Sequence, residues 1–533
     1  MPTCGIVKAG EPVCLKKQQP VNLDHTGKRE MKMYFDMEQK PACDVALQTE
    51  TGEVFTYGEL REQIAEFQHA VRRRSFVFLL CENSPGAVIG YLGCLNAGAV
   101  PLLLNAQMDT GLLQEMYEHY RPEYVWMPEE CQWKPYALWD AEKMERSESD
   151  HVYNGTAPLQ KTAYRIFYEN HGYQLCETGA EPCEIYPDLA LLLATSGSTG
   201  SPKLVRLSRE NLESNARAIV EYLHLTKSER AITSLPMQYT YGLSVLNSHF
   251  QSGACVLLTK SSVVQQGFWK FFERAGGTSL AGVPYTYELL RRLHLFDSRT
   301  QNDRNVTWFR SLRYMTQAGG RLSENLQIQI GTWAKEHGVD FVIMYGQTEA
   351  TARMSYLPAD QCLDKIGSIG IAIPGGRFYL EDADKTTGVG ELIYEGENVS
   401  LGMAECREDL KKADERHGVL HTGDLARTDE DGFYYIAGRK KRFLKIFGNR
   451  VGLDECEQIL QKVYAETDSE FACVGTDDHL RVYLTEETLV DKAAELLAER
   501  LHISERAIRA VYIPELPKNA AGKVLYHILM QMQ

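Results

Sequence analysis

The stretch TSGSTGSPK, residues 195 to 203, gathers small hydroxyl residues, two glycines and one lysine directly after an apolar run. Gly197 and Gly200 let a backbone come close to phosphate oxygens, Ser196, Ser198 and Thr199 offer hydroxyl donors, and Lys203 adds positive charge. On composition alone the segment is either a slack Ser/Gly linker or a cradle for an anion. Its surroundings favour the cradle. LALLLA reads as a buried strand ending at the loop, and a helix is expected after it, with Leu212, Ala216, Ile219, Val220 and Leu223 at helical spacing. This is not a Walker A loop, because Pro202 stands five residues after Gly197 where that pattern needs glycine followed by lysine.

Five more motifs follow in order: MYGQTEA at 344–350, GELIYEGENVSLG at 390–402, HTGDLA at 421–426, GRKKRFLKIFGNRV at 438–451 and LPKNAAGK at 516–523. With the loop, they resemble the acyl-adenylating superfamily of acyl-CoA synthetases, peptide-synthetase adenylation domains and firefly luciferase. The resemblance runs from about residue 32 to the C-terminus. It implies an α/β fold, a large adenylate-forming domain of layered sheets and helices followed by a small mobile α+β lid.

The resemblance also implies a division of labour. Thr195 to Gly200, with Lys203, grip the β- and γ-phosphates. Tyr345 stacks on adenine, Thr348 meets the α-phosphate, and Glu349 ligates Mg²⁺, whose preference is for hard oxygen donors. Asp424 and Arg439 hold the ribose, while Gly319 and Gly320 line the acyl and adenine side through their backbone. Lys523 bridges the substrate carboxylate and the α-phosphate as negative charge shifts in the transition state. A rotation of the C-terminal domain then removes Lys523 and brings in the thiol half-reaction, with Lys441 at the hinge and Gly448 and Arg450 facing the pantetheine thiol. Lys440 and Arg442 are either part of that basic run's function or merely solvated surface.

The chain departs from the family in the acyl region. LPMQYTYG puts Tyr239 where many acyl-CoA synthetases carry histidine, so an aromatic gate is possible there but imidazole chemistry is not. No acidic residue occurs from Ala231 to Phe250, which disfavours an α-amino acid, since a buried ammonium needs a carboxylate. Tyr241, Val245 and Ala318 are therefore expected to shape an uncharged pocket. Arg321 occupies a position where proline is frequent and is read as a surface charge in preference to a substrate partner.

Around these residues the chain alternates short apolar runs (SFVFLLCEN, AVPLLL) with amphipathic stretches, a rhythm expected of parallel strands and covering helices. A hairpin is expected around YRIFYENHGYQLCE. The composition shift near residue 440 divides the sequence into an extension at 1–31, an ATP- and acyl-binding domain at 32–440 and a lid at 441–533. The 57 Lys and Arg against 72 Asp and Glu leave a net charge of −15 with no block suited to a nucleic-acid backbone. Thirteen scattered cysteines without a CxxC pair read as reduced thiols, with Cys14 and Cys176 the nearest to reactive candidates. No apolar run is long enough to span a membrane, and a cytoplasmic location is expected.

The resulting expectation is a stand-alone, Mg²⁺-dependent ligase that uses ATP to convert a small carboxylic acid to acyl-AMP and passes the acyl group to a thiol in trans. The leading acceptor is CoA, and the rival is the phosphopantetheine of a separate carrier protein. An enzyme that stops at the adenylate or hands it to a non-thiol nucleophile, and a non-catalytic nucleotide-binding relative, are the alternatives from other classes.

Overall fold

The computed structural model describes residues 32–136, 164–194, 203–296, 308–440, 442–447, 449–501, 503–518 and 522–532. Two large sheets dominate. The first has nine strands, and its centre, built from Asp340–Tyr345, Tyr314–Gln317, Ser279–Gly282, Arg230–Ile232, Cys255–Leu258 and Val45–Thr49, is parallel throughout. The second has eight strands with a parallel centre of Leu189–Ala194, Val100–Asn105, Phe76–Cys81 and Tyr124–Pro128. Continuous apolar runs such as FVFLLC suit these positions, because a parallel strand covered on both faces has no solvent side to keep polar. The helix Pro85–Ala97 is apolar around its whole circumference and is buried almost throughout.

A four-stranded antiparallel sheet follows, Arg377–Glu381, Gly390–Glu395, Val419–Thr428 and Tyr434–Arg439. Beyond it the hairpin Phe443–Ile446/Asn449–Gly452, the helices Leu453–Val463 and Val490–Leu501, and the sheet Phe471–Thr476, His479–Leu484, Ile508–Tyr512 form their own cores, whose fully buried members run only from Leu444 to Leu529. The expected α/β layering followed by a smaller α+β unit is what the chain forms.

The hairpin forms as expected, Arg165–Asn170 pairing with Tyr173–Glu177. His171 and Gly172 both take positive φ, 46° and 71°, as a tight turn matched to strand twist requires. One local expectation fails. The segment after the hydroxyl-rich loop is first a strand, Leu204–Ser208, antiparallel to Leu189–Ala194 with Leu193 opposite Val205, and only then the helix Arg209–Tyr222. The helix thus begins after Ser208 and does not directly follow the hydroxyl-rich segment. The reason is legible in KLVRLS: all five residues of Leu204–Ser208 are buried, and even Arg206 is fully enclosed, its guanidinium donating to the carbonyls of Leu401, Met403 and Ala413 and pairing with Glu415.

Candidate active site

The parallel strands of the nine-stranded sheet end together. Gly282 lies opposite Gln317 and Gln317 opposite Ile343, so the segments that follow them share one carboxyl edge, the usual place for a ligand in an open α/β sheet. After Gln317 the chain turns through Gly319 at φ 84°, and a Cβ there would fall 2.4 Å from the Tyr239 hydroxyl. Glycine at 319 therefore lets Tyr239 close over the strand end. Tyr239 is the N-cap residue of the helix Thr240–Ser252, and burial pushes its phenol up to about 12, so it stays neutral. Tyr241, Val245 and Ala318 are buried in one cluster beside it.

The YGQTEATAR loop leaves the strand at Tyr345 and returns at Ser355, its antiparallel partner. A Cβ on Gly346 would lie 1.5 Å from the Ala352 carbonyl oxygen, so the crossing of the loop on itself needs glycine. Thr351 and Ala352 are both held at positive φ, 55° and 87°, which costs roughly 1–3 kcal/mol each. The turn that results places Thr348 and Glu349 in a short 3₁₀ segment, Thr348–Ala350. The Thr240 hydroxyl donates to Thr348 Oγ1 at 3.0 Å. The Glu349 carbonyl accepts from the Ser400 amide at 2.9 Å and from Arg416 Nη1 at 3.2 Å, which fixes its backbone. Its half-buried carboxylate has no hydrogen-bond partner among the described residues, leaving hard oxygen donors available to a divalent cation.

Asp424 and Arg439 face each other across adjacent strands, with Arg439 Nε 3.3 Å from Oδ1. The other carboxylate oxygen accepts from the Tyr345 hydroxyl at 2.5 Å and from Gln347 Nε2 at 3.0 Å. Burial raises the Asp424 pKa, and the Tyr345 bond, the Arg439 charge and the Gln347 bond pull against that rise. Tyr345 in turn is pushed well above the ordinary phenol range by burial and the Asp424 charge.

Lys523 arrives from the far end of the sequence. Its neighbour Gly522, at φ 73°, lies against Tyr285, where a Cβ would come within 2.6 Å of the tyrosine Cβ. Burial first and the Arg439 charge second lower the Lys523 pKa, while Glu349 and Asp424 raise it, so its ammonium sits in the field of both carboxylates. Two further contacts tie this C-terminal region to the rest: Arg291 to Asp468 at 3.3 Å, and Asn325 Nδ2 to the Ala465 carbonyl at 3.3 Å.

The geometry thus brings together Tyr239, Gly319, Tyr345, Thr348, Glu349, Asp424, Arg439 and Lys523. Gly320 belongs with them, its carbonyl accepting from Gln317 Nε2 at 2.9 Å. Thr195, Ser196, Gly197, Ser198, Thr199 and Gly200 lie outside the described residues, as do Lys441 and Gly448; Arg450 is described only as backbone, opposite Lys445 in a hairpin. Lys203 is exposed and paired with Glu405 at 2.5 Å. Arg321 is exposed, 3.8 Å from Glu324, as the surface reading expects. Arg442 is not solvated surface: it pairs with Asp454 and Glu457 and lies 3.9 Å from the Tyr526 ring centroid. Cys176 is buried with its thiol pushed up to about 12, which removes it as a reactive candidate, and Cys14 lies outside the described residues.

Sequence reasoning missed Thr240, Gln317, Gln347, Arg416 and Arg353. Gln347 stands inside the YGQTE motif and could have been taken from it. Gln317 carries a buried Oε1 with no donor among the described residues, beside Gly320. An acceptor left open at a strand end fits a ligand that brings its own N–H or O–H. Arg353 alters the acyl region, because its buried guanidinium lies 5.2 Å from the Tyr241 ring centroid, so the surroundings of that pocket are not uncharged.

Two carboxylates, Glu349 and Asp424, with Lys523 in the field of both, are the kind of site an adenylate-forming enzyme needs. Residues 36–403 match the AMP-binding enzyme family, and the chain belongs to that family. It is 28% identical over 352 residues to a 2-succinylbenzoate–CoA ligase of Bacillus cereus, covering 64% of this chain and 69% of that enzyme. It is 26% identical over 360 residues to an oxalate–CoA ligase of Arabidopsis thaliana, with 64% and 67% covered. Its fold matches that of the o-succinylbenzoate CoA synthetase of Bacillus subtilis in complex with an acyl-adenylate intermediate, with a TM-score of 0.67, 21% identity, and 92% and 96% of the two chains covered. The same synthetase with ATP and magnesium superposes with a TM-score of 0.68 at 21% identity, over 93% and 98%. Family and relatives together support an AMP-forming acid–thiol ligase of the acyl-CoA synthetase kind.

Proposed function

We propose that this chain joins a small carboxylic acid to CoA in two steps, with roles divided among the residues above. The observation that carries the reading is that the C-terminal segment packs its Gly522 on Tyr285 and so brings Lys523 into the field of Glu349 and Asp424. In the first step a carboxylate oxygen of the substrate bonds to the α-phosphorus of ATP and the bond to pyrophosphate breaks. Negative charge moves from the carboxylate through the α-phosphate to the leaving group, and a fixed ammonium between them lowers the barrier because it needs no reorganisation. Thr348, held by Thr240, presents its hydroxyl to the same phosphate, and Asp424 with Arg439 positions the sugar. Tyr345 places the adenine. Lys203 exchanges Glu405 for phosphate oxygens, together with the loop Thr195–Gly200.

The open carboxylate of Glu349 fits Mg²⁺, which when bound neutralises phosphate charge. In the second step the thiol loses its proton, its sulfur bonds to the acyl carbon, and AMP leaves. Residues 441–533 act as the lid that turns between the steps about Lys441. The Arg439 amide bond to Asp454 Oδ2 at 2.8 Å crosses that residue and breaks or reforms in the turn, while Lys440 with Glu391 at 2.5 Å stays on the side of the large domain. Gly448 and Arg450 then meet the thiol. CoA is favoured over a carrier protein because the relatives are named CoA ligases. Buried free thiols among the described residues support a reducing, cytoplasmic setting, and no helix among the described residues is long and apolar enough to cross a membrane.

The test is ATP–pyrophosphate exchange by the purified full chain across a panel of carboxylic acids, followed by addition of CoA or of a phosphopantetheinylated carrier protein to the best acid. Acid-dependent exchange with thioester formed on free CoA is the expected result. Exchange that yields thioester only on the carrier protein would overturn the acceptor, and exchange with no acid would overturn the activity.

A further inference from the structure

Arg353 is 2% exposed, yet none of its partners among the described residues is a carboxylate. Its Nε donates to Ser244 Oγ at 3.0 Å and its Nη1 to the Tyr222 hydroxyl at 3.0 Å, while Nη2 has no hydrogen bond among the described residues. A guanidinium cannot shed its proton, and taking it out of water costs several kcal/mol that neutral hydroxyls and an aromatic face recover only in part. The neighbouring His249 offers no negative charge either. His249 donates from Nδ1 to the Val245 carbonyl at 2.7 Å and contacts the Tyr314 hydroxyl through Nε2 at 3.1 Å, and burial keeps it neutral down to about pH 4.

The placement is specific. The guanidinium stands over the ring of Tyr241, in the cluster that also holds Val245 and Ala318. The chain is forced to turn inward there by the two strained residues before it and is pinned by Asn215 and Asn398, whose amides donate to the Arg353 carbonyl at 2.8 and 3.1 Å. Ser244, which Arg353 touches, is one turn along the helix from Thr240, which touches Thr348, a step of about 6 Å.

We propose that the acid activated by this enzyme carries a second carboxylate, which enters beside Tyr241, Val245 and Ala318 and pairs with Nη2 of Arg353. Nε and Nη1 are held by Ser244, Tyr222 and the Met344 sulfur, so a carboxylate oxygen meets the guanidinium at Nη2 in a charge-assisted bond. The helical step from Thr240 to Ser244 has the scale of a chain of roughly four to six carbons between and including the two carboxyl groups. The same cation repels an ammonium in that place, which reinforces the absence of any acidic residue between Ala231 and Phe250. This substrate class rests on the acid-activation reading above.

The experiment is pyrophosphate exchange by the wild-type chain with matched pairs: succinate and butyrate, glutarate and pentanoate, adipate and hexanoate, phthalate and benzoate. A diacid is expected to exceed its monoacid partner in kcat/KM by roughly 10²-fold, the scale of losing one partner of a buried charge pair. Arg353→Gln is expected to collapse that ratio towards one, and Arg353→Lys, which keeps the charge and loses the Nη2 donor, to fall between. Exchange driven equally well or better by the monoacids overturns the proposal and leaves acid activation standing. A diacid preference that survives in Arg353→Gln overturns the assignment to Arg353. Exchange with no acid of either kind overturns the activity reading and this proposal with it. The wild-type ratio decides the substrate class even if a variant fails to fold.

Discussion

Asp424 and Arg353 bury opposite charges within one site, and the protein answers them differently. Asp424 is 5% exposed, and three side chains already meet it: Arg439 on one oxygen, Tyr345 and Gln347 on the other. Arg353 is buried as deeply and meets only neutral groups. A carboxylate whose position is fixed by the protein can orient a ligand's hydroxyls without depending on the ligand for its own stability. A cation left without a counter-charge depends on what binds. On the proposed roles, the nucleotide corner is preorganised by the chain, whereas charge on the acyl side is completed by the substrate.

If so, substitutions should rank by how much of a group's charge is left to the ligand. Lys523 comes first. Burial and the Arg439 charge work against its protonation while Glu349 and Asp424 support it, so phosphate and carboxylate converging on it shift a balance that is close. Lys523→Ala is expected to lower acid-dependent pyrophosphate exchange by roughly 10³-fold, while ATP binding measured by calorimetry changes by no more than a few-fold. Unaltered exchange would remove Lys523 from the chemistry. The pH dependence has a defined sign: because the folded pKa is depressed and the charged form acts, kcat/KM should fall with rising pH at lower pH than an ordinary lysine would dictate. An alkaline limb at or above the usual lysine range would contradict this.

Asp424 is next. Asp424→Asn keeps the size and removes the charge, leaving Arg439 opposite a neutral amide. A bond to a charged acceptor is worth about 1.5–3 kcal/mol, so KM for ATP should rise about 10- to 100-fold with a smaller change in kcat. If kcat falls instead and KM holds, Asp424 acts on the reacting atoms and the preorganised corner is misassigned.

Much of this was legible in the residues alone, for a physical reason. Strand ends in an α/β sheet are marked by apolar runs that stop at Gly, Thr or polar residues, so FVIMYGQTE and YMTQAGG announce their positions, and HTGD and AAGK could be placed by order. The four residues Glu349, Asp424, Arg439 and Lys523 converge as that order implies. Arg353 was not legible, because within TEATARMSY an arginine has the look of solvated loop. Its burial is created by Tyr222 and Ser244, more than 100 residues earlier in the chain. The strand Leu204–Ser208 was missed for the opposite reason: its five residues contain an arginine and end at a helix-capping serine, so local pattern merges it with the helix, and only enclosure of Arg206 by the carbonyls of Leu401, Met403 and Ala413 makes a buried strand there feasible.

The smallest expected effect separates a fixed corner from a merely crowded one. Tyr345→Phe keeps the ring against the adenine position and removes only the hydroxyl that donates to Asp424. With Gln347 still bonded to the same oxygen, KM for ATP at pH 8 should rise by about 3- to 10-fold, the equivalent of about 1 kcal/mol. The more telling readout is its pH dependence. The Tyr345 bond lowers the Asp424 pKa against the upward push of burial, so its loss lets that pKa rise further. Asp424 then becomes protonated at higher pH than in the wild type, and the ratio of variant to wild-type KM should grow as pH is lowered. A ratio that stays flat with pH would mean that Tyr345 supplies ring packing alone and that the charge of Asp424 is held by Arg439 without it.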